Sequence, residues 1–550
     1  MAMTETRPET AEVAPAPGGP PPEPATPRTD GGLLGVFGTG DHLVIGRLWI
    51  SASIVFLLVS GVAGVLLGVE RFDTTHYNVL DGKNYAQTLS LHGVSGVFLF
   101  LLPALLGVAT IVVPRQVGAS TIAFPRAAAA AFWAYLIGGG MVVTSYLING
   151  GPFGGNDKGV DLFLASLALV VVALGLASVC VATTVLALRV PGLTLDRAPA
   201  FAWSVLVAAV IWIATLGLLF GLLVLLYVDH RYRVFSVGSN FQIDGWLRWT
   251  VTQPTVYAAG IPVLGFAADV VPVFSRNRLR HHGVVIGAIG AFSALSFGAW
   301  TFAQFGGAET TQFAPELTKQ ALYIGVAVAA LLPLLVIAGG LADTVRRGSI
   351  RIASPLLFAI SALLMLLAGV AAGAVRVVTP LDLVGTTADS SVAHYVLGAA
   401  TIAVIGAVHY WWPQIVTRPL KEGLGLLTAG LLLLGTIALS LPDLISGFLD
   451  EPHGSLLTQA PRDGVEALNV VSFIGGVLLL LGVLVFVVNL ASSLARRGSA
   501  VETDPWDGFT LEWAADAGAV TVASAAPLLD AREGLLAQRE DLLRAREGQS

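Results

Sequence analysis

Twelve long apolar runs determine what this chain can fold into. Each has roughly 20 to 29 residues, enough for a helix to cross a bilayer core of ~30 Å. Only 12% of the residues are charged, against about a quarter in soluble domains, so these runs are not the core of a water-soluble protein. The sequence predicts an all-α, polytopic membrane bundle of twelve transmembrane helices with both termini on one side. The runs lie at about 45–69, 88–113, 126–149, 161–188, 201–228, 250–274, 283–305, 319–343, 353–376, 390–413, 424–447 and 467–494.

Charge and cysteine content exclude several other classes of protein. The formal net charge of −6 provides no broad basic surface, which argues against a nucleic-acid partner. The single cysteine, Cys180, lies inside an apolar run, so an intrachain disulfide and a multi-cysteine metal site are both excluded. The composition indicates the lipid bilayer as the main surrounding of the chain.

The distribution of basic residues predicts the orientation of the bundle. The even-numbered connections carry more Lys and Arg than the opposite loops, which predicts that these connections and both termini are cytoplasmic. No cleavable secretory signal is visible, so we expect the first helix to direct its own insertion into the plasma membrane. The basic residues are Arg115, Arg126, Arg189, Arg197, Arg276, Arg278, Arg280, Arg346, Arg347, Arg351, Arg418 and Lys421.

The two ends of the chain differ from the apolar part. We expect residues 1–41, rich in Pro and Ala, to form a disordered cytoplasmic tail, and residues 42–497 to form the membrane domain. Residues 498–550 are predicted to be a second cytoplasmic tail. Leucine pairs recur there every seven residues and predict a short heptad helix over 527–548. A helix that binds a partner and a solvated amphipathic tail both remain open.

Two of the nine histidines are distinguished by their depth in the predicted helices. His92 and His394 each lie about one turn inside the outer end of a helix, the second and the tenth. Facing imidazoles at equal depth are what a six-coordinate haem iron requires, whereas helix capping or the lipid interface would explain either histidine alone. His409, followed by Tyr410-Trp411-Trp412, is predicted to belong to an interfacial aromatic belt.

Several motifs, in the right order, resemble subunit I of the haem–copper oxidases (cytochrome c oxidase) over nearly all of residues 42–513. Leu91-His92-Gly93-Val94-Ser95-Gly96 is similar to the family's second helix, which carries the outer ligand of the low-spin haem. The resemblance implies a twelve-helix fold, haem and a role in membrane electron transfer. Further matching segments are Val113-Pro114-Arg115-Gln116-Val117-Gly118-Ala119, Ala123-Phe124-Pro125-Arg126, Arg189-Val190-Pro191-Gly192, Phe201-Ala202-Trp203-Ser204, Asp504-Pro505-Trp506-Asp507-Gly508 and Thr510-Leu511-Glu512-Trp513.

The resemblance assigns haem ligation to His92 and His394. In the tenth helix the family has Val-Ala-His-Phe-His-Tyr-Val-Leu, a high-spin ligand followed by a low-spin ligand, and this chain has the shorter Val392-Ala393-His394-Tyr395-Val396-Leu397. Alignment on His-Tyr-Val-Leu makes His394 the low-spin ligand and puts Val392 at the high-spin position. Alignment on Val-Ala-His and on Asp382 makes His394 the high-spin ligand instead. We favour the first, because His92 then has a partner at equal depth. The haem type and a second haem stay open.

The family's copper ligands have no counterpart in this sequence. They are one His of the sixth helix and a His pair of the seventh, and here these positions are Gln253, Phe302 and Ala303. Gln is a poor copper ligand and Phe and Ala are none, so we expect no copper. Tyr257, which the family links to its copper histidine, is present, whereas Thr255 replaces the family's glutamate.

The chain also has few groups that could transfer protons or bind the propionates of a haem. The only carboxylate of the sixth helix, Asp269, lies about 21 Å along the helix from Thr255. The family's Arg pair after the eleventh helix is absent, and that loop offers only Arg462.

These features together predict an oxidase subunit I-like membrane haem protein of a respiratory-type electron-transfer chain. We expect one bis-histidine low-spin haem and no functional haem–copper oxygen-reducing centre. Other oxidase-like subunits or an electron-transfer partner would complete the assembly. Two alternatives remain: an active terminal oxidase with atypical ligands, and a haem-free structural or assembly subunit.

Overall fold

Twelve long helices, α1 to α12, form almost all the regular structure of the described residues. The computed structural model describes residues 38–72, 78–233, 254–306, 316–416, 418–453, 464–496 and 504–513, without side-chain detail at 254–256, 297–306, 316–320, 322–323 and 379. The helices are α1 (His42–Glu70), α2 (Gly82–Gln116, with a π-helical turn at Ser95–Leu101), α3 (Pro125–Leu147), α4 (Asp157–Ala187), α5 (Ala200–Tyr232), α6 (Pro254–Phe274), α7 (His282–Gly306), α8 (Glu316–Ala329 and Leu331–Arg347), α9 (Ser354–Arg376), α10 (Ala388–Val416), α11 (Glu422–Gly447) and α12 (Glu466–Ala495).

The length and composition of these helices confirm the predicted membrane bundle. Eleven of the described helices are long and apolar enough to cross a membrane, and α7 is apolar over His282–Ser296, the part whose side chains are described. Side chains of Asp41, Asp81 and Asn156 cap the N-termini of α1, α2 and α4. Most helices pack against their neighbours in sequence, and α12 also packs against α1. The chain is a multi-pass membrane protein.

The π-helical turn of α2 begins three residues after His92. It spans Ser95–Leu101, where each turn contains an extra residue and the helix is wider. Pro103 has no N–H to donate to the carbonyl of Leu99, and the hydroxyl of Tyr135 in α3 donates to that carbonyl instead, at 2.5 Å. This carbonyl is therefore paired in the apolar interior although Pro103 cannot bond to it.

Two carboxylates, those of Asp269 and Glu512, are bridged by Gln116 at the end of the bundle that carries the arginine-rich connections. Asp269 of α6 accepts from the backbone N–H groups of Ala200 and Phe201, at 2.9 and 3.1 Å, and from Gln116 Nε2 at 2.9 Å. The same Gln116 nitrogen donates to Oε1 of Glu512 at 3.0 Å. Both carboxylates are buried. The segment after the last helix is thus fastened to α2 and α6 through one amide.

Only one of the two carboxylate oxygens of Glu512 accepts hydrogen bonds from the described residues. Oε1 also accepts from Trp411 Nε1 at 3.0 Å and from Thr510 Oγ1 at 2.8 Å. Oε2 is buried and has no hydrogen-bond partner among the described residues. Burial raises the pKa of Glu512, and the hydrogen bonds to the carboxylate offset this only in part. The ionised form therefore costs stability.

The aromatic-belt prediction for His409 is wrong. His409 and Tyr410-Trp411-Trp412 are all buried, and the His409 ring lies 4.8 Å from the ring of Phe358 and 5.3 Å from that of Phe486. Its Nδ1 lies 2.8 Å from the carbonyl of Ile405. A belt faces lipid headgroups, but α10 packs against α6, α9 and α11, so these rings meet protein instead.

The predicted terminal segments fall largely outside the described residues. Of the predicted tails 1–41 and 498–550, only 38–41 and 504–513 are described, and the predicted heptad helix at 527–548 lies outside the described residues. The boundaries 1–41, 42–497 and 498–550 therefore stay predictions.

Replacing Glu512 by Gln keeps an oxygen acceptor and removes the ionisable group. Because burial raises the pKa of Glu512 above its ordinary 4.5, the wild type loses stability as the pH rises above that value and the variant does not. We expect Glu512→Gln to raise the unfolding free energy in detergent at pH 8 by about 1–3 kcal/mol, the desolvation cost of one buried polar group. The gain should vanish near pH 4.

The matched control is Glu466→Gln, which changes an exposed acid at the start of α12 and should have no such pH-dependent effect. Thermal unfolding followed by circular dichroism at both pH values measures the difference. A gain that is the same at pH 8 and pH 4 would contradict the assignment of the cost to ionised Glu512.

Candidate functional site

His92 is held by α1. Its Nδ1 lies 2.8 Å from the carbonyl oxygen of Ser60, and Ser60 Oγ donates to the carbonyl of His92 at 3.0 Å. Gly64 makes room for the ring, since a Cβ at that position would lie 2.9 Å from His92 Cε1. A neutral imidazole that donates Nδ1–H to a carbonyl keeps its lone pair on Nε2. The contacts with α1 therefore prepare Nε2 of His92 to act as a ligand.

His394 lies against a buried carboxylate of α11. Its Nδ1 is 3.4 Å from Oδ2 of Asp443, whose side chain is only 1% exposed. Oδ1 of Asp443 accepts from the guanidinium of Arg71 at 2.7 Å. Arg71 is the residue that follows α1. An arginine–aspartate–histidine chain thus runs from α1 through α11 to α10.

The two imidazoles lie near each other on the neighbouring helices α2 and α10. They lie close enough for their charges to interact, and the side chain of His394 is 28% exposed while His92 is half-buried. Helix α10 contacts α2 mainly at the π-helical turn and beyond it, and less at the part of α2 that carries His92. Within the described part of the chain, Nε2 has no partner in either ring. Two unpartnered imidazole nitrogens fit a haem iron that takes one nitrogen ligand on each side.

One face of α1 supports both histidines. Ser60 and Gly64 contact His92, and Arg71 holds the carboxylate beside His394. Spacings of four and seven residues place all three positions on the same side of a helix. The geometry of the site thus depends on α1 as much as on the helices that carry the histidines.

Val392 lies on a different side of α10 from His394. A Cβ at Gly373 of α9 would lie 3.6 Å from Val392 Cγ1 and would collide with the hydroxyl of Tyr257 in α6. Val392 is therefore near α9 and α6, whereas His394 faces α11. This arrangement agrees with the alignment that makes His394 the low-spin ligand and puts Val392 at the high-spin position. The ligand roles themselves stay predictions.

The other predicted site residues are described only in part. Gln253 and Arg462 lie outside the described residues. The backbone places Thr255 in α6 and both Phe302 and Ala303 in α7, without side-chain detail. Among the described residues, no group of three or more His, Cys, Asp or Glu could hold a metal ion. The expected absence of copper is therefore untested by the structure.

The sequence analysis missed Asp443, Arg71 and Ser60. A signal existed for the first, because Asp443 is the only charged residue in the apolar run 424–447. An ionisable residue inside a membrane span is by default a candidate functional residue. Ser60 carries no such signal, because the bond to His92 uses its backbone carbonyl.

Comparisons with known proteins agree on the family. Residues 44–478 match the family model described as cytochrome c and quinol oxidase polypeptide I. Cytochrome c oxidase subunit 1 of Bacillus subtilis (strain 168) is 26% identical over 507 residues, which cover 88% of this chain and 80% of that protein. A Streptomyces avermitilis chain assigned as cytochrome c oxidase subunit 1-beta is 30% identical over 498 residues, 86% of each chain.

A solved structure agrees on the fold. A chain of a haem–copper terminal oxidase dimer matches with a TM-score of 0.65, covering 83% of this chain and 85% of that chain. The two sequences are 15% identical, so this likeness concerns the arrangement of the helices.

Proposed function

This chain belongs to the family of cytochrome c and quinol oxidase polypeptide I, and we propose that it is a membrane electron-transfer protein with one low-spin haem held between His92 and His394. The observation that carries this proposal is that the Nε2 atoms of His92 and His394, near each other on α2 and α10, have no hydrogen-bond partner among the described residues. Nδ1 of His92 faces the carbonyl of Ser60, and Nδ1 of His394 faces the carboxylate of Asp443.

The residues of the site have distinct roles in this proposal. His92 and His394 bind through Nε2, and the carbonyl of Ser60 holds the tautomer of His92 that makes this possible. Gly64 lets the His92 ring approach α1 closely. A haem held by both His92 and His394 would supply reversible one-electron transfer. The chain thus holds an electron carrier and leaves no position on that haem for oxygen.

We propose further that this chain has no haem–copper oxygen-reducing centre. The identities of Gln253, Phe302 and Ala303 support this, because none is a good copper ligand. The favoured alignment puts Val392, which cannot bind iron, at the position of the high-spin ligand. Val392 lies beside Gly373 and near Tyr257. Without that centre, electrons that reach the bis-histidine haem must pass to another subunit or to a membrane acceptor.

The setting of this function follows from the charge distribution. The arginine-rich connections support an orientation in the plasma membrane with both termini in the cytoplasm. The outer ends of α2 and α10, which carry the two histidines, are then on the opposite side. We propose that an electron-transfer partner or another oxidase-like subunit exchanges electrons there, and that the 527–548 heptads bind a partner helix in the cytoplasm.

The direct test is a pyridine haemochrome assay combined with metal analysis of the purified protein. We expect one haem per chain, no stoichiometric copper and a low-spin α band in the reduced spectrum. His92→Ala and His394→Ala should each abolish that band. A band that survives in both variants would contradict the ligand assignment. Stoichiometric copper with oxygen uptake would favour an active terminal oxidase, and a haem-free protein would favour a structural subunit.

A second prediction concerns the space beside His92. A Cβ at residue 64 would lie 2.9 Å from the imidazole, so Gly64→Ala should displace the ring and lower the affinity for haem about 10–100-fold, as for loss of a group that orients a metal ligand. The matched control is Gly140→Ala in α3, where a Cβ meets nothing within 4 Å. Haem content per protein measures both. Equal occupancy in the two variants would show that close packing at Gly64 does not position His92.

A further inference from the structure

We propose that Asp443 is a positioning residue for His394, which it orients and makes more electron-donating, so that the two axial ligands of the haem are unequal. This inference rests on the proposed function, since it concerns the ligand strength of His394. It goes beyond that function because it assigns a role to an aspartate, an arginine and the helix end that carries them. Neither the sequence motifs nor the family comparison singles out these residues.

The surroundings of Asp443 leave one of its oxygens for His394. Oδ1 accepts from Arg71 at 2.7 Å and lies 3.4 Å from the hydroxyl of Ser472 in α12. Oδ2 is buried and has no hydrogen-bond partner among the described residues, and the same is true of Nδ1 of His394. These two atoms lie 3.4 Å apart. The separation is slightly longer than an ordinary hydrogen bond, so the inferred contact requires the imidazole to turn toward Oδ2.

The chemical consequence concerns which nitrogen of His394 carries the proton. A neutral imidazole has one N–H, and a carboxylate facing Nδ1 holds the proton there and frees the lone pair of Nε2. A carboxylate behind a metal-binding histidine also makes the ring a stronger donor. Asp443 therefore selects the tautomer that can bind iron and increases the electron density that His394 provides.

His92 differs from His394 in this respect. Its Nδ1 faces the backbone carbonyl of Ser60, which carries no formal charge. A hydrogen bond to an ionised acceptor is roughly twice as strong as one to a neutral acceptor. The ligand on α10 would thus be the stronger of the two once its Nδ1 bonds to Asp443. A stronger axial donor stabilises the oxidised iron, so Asp443 lowers the reduction potential.

Arg71 offsets the energetic cost of burying the carboxylate of Asp443. An unpaired charge inside a membrane protein is expensive, and the guanidinium supplies the compensating charge from the end of α1. The alternative is that Asp443 only forms the ion pair with Arg71 and so stabilises the packing of α1 on α11. The two roles differ in what happens when the ion pair is removed as a whole.

The test is the reduction potential of the haem in the purified full-length protein, by redox titration of the low-spin band. Asp443→Asn should raise it by about 59 mV, a tenfold change in the one-electron equilibrium. The double variant Arg71→Gln with Asp443→Asn removes both charges, leaves neither buried and unpaired, and should keep most of this rise. The control is Asp389→Asn, on α10 like His394. It breaks the ion pair with Arg376 of α9 and should leave the reduction potential unchanged.

A double variant that returns to the wild-type potential would overturn the inference, because only the uncompensated charge of Arg71 would then matter. An unchanged potential in Asp443→Asn, or an equal rise in Asp389→Asn, would overturn it as well. In each of these cases the bis-histidine haem itself would stand. A wild-type protein without haem would overturn both this inference and the proposed function.

Discussion

A polar or charged group inside a bilayer needs a partner, because the lipid offers it neither water nor hydrogen bonds. In this bundle the partners come from different helices. Arg71 pairs with Asp443 between the end of α1 and α11, and Gln116 joins Asp269 to Glu512 at the other end of the bundle. In the described part of the chain, the partly exposed Nε2 atoms of His92 and His394 have no hydrogen-bond partner. In the proposed function, a haem iron is the missing partner of both.

The same requirement explains why the site depends on α1, a helix that contributes no ligand. A histidine is useful as a ligand only when its other nitrogen is held, and α1 does this directly for His92 and through Arg71 and Asp443 for His394. The π-helical turn of α2 adds a second constraint, because it separates the part of α2 that carries His92 from the part that packs on α10. The placement of the two histidines thus depends on helix packing as well as on the two side chains.

The sequence predicts the twelve helices well, because hydropathy over some twenty residues reports directly on the cost of burial in lipid. It also singles out His92 and His394, since ionisable residues in apolar runs are rare. It does not show which side of a helix faces protein, and for this reason His409 was wrongly placed in an interfacial belt. It also gives no partner for Asp443, because His394 and Arg71 lie 49 and 372 residues away in the chain. Hydrogen bonds from backbone atoms, such as the carbonyl of Ser60, leave no trace in the sequence.

The central claim is that His92 and His394 bind one haem on its two sides, and low-temperature electron paramagnetic resonance of the oxidised protein tests it most directly. A bis-imidazole ferric haem gives a low-spin signal, whereas a haem with one histidine gives a high-spin signal. We expect a single low-spin signal that is lost in both His92→Ala and His394→Ala. A high-spin signal in the wild type, or a low-spin signal that survives either substitution, would contradict the claim.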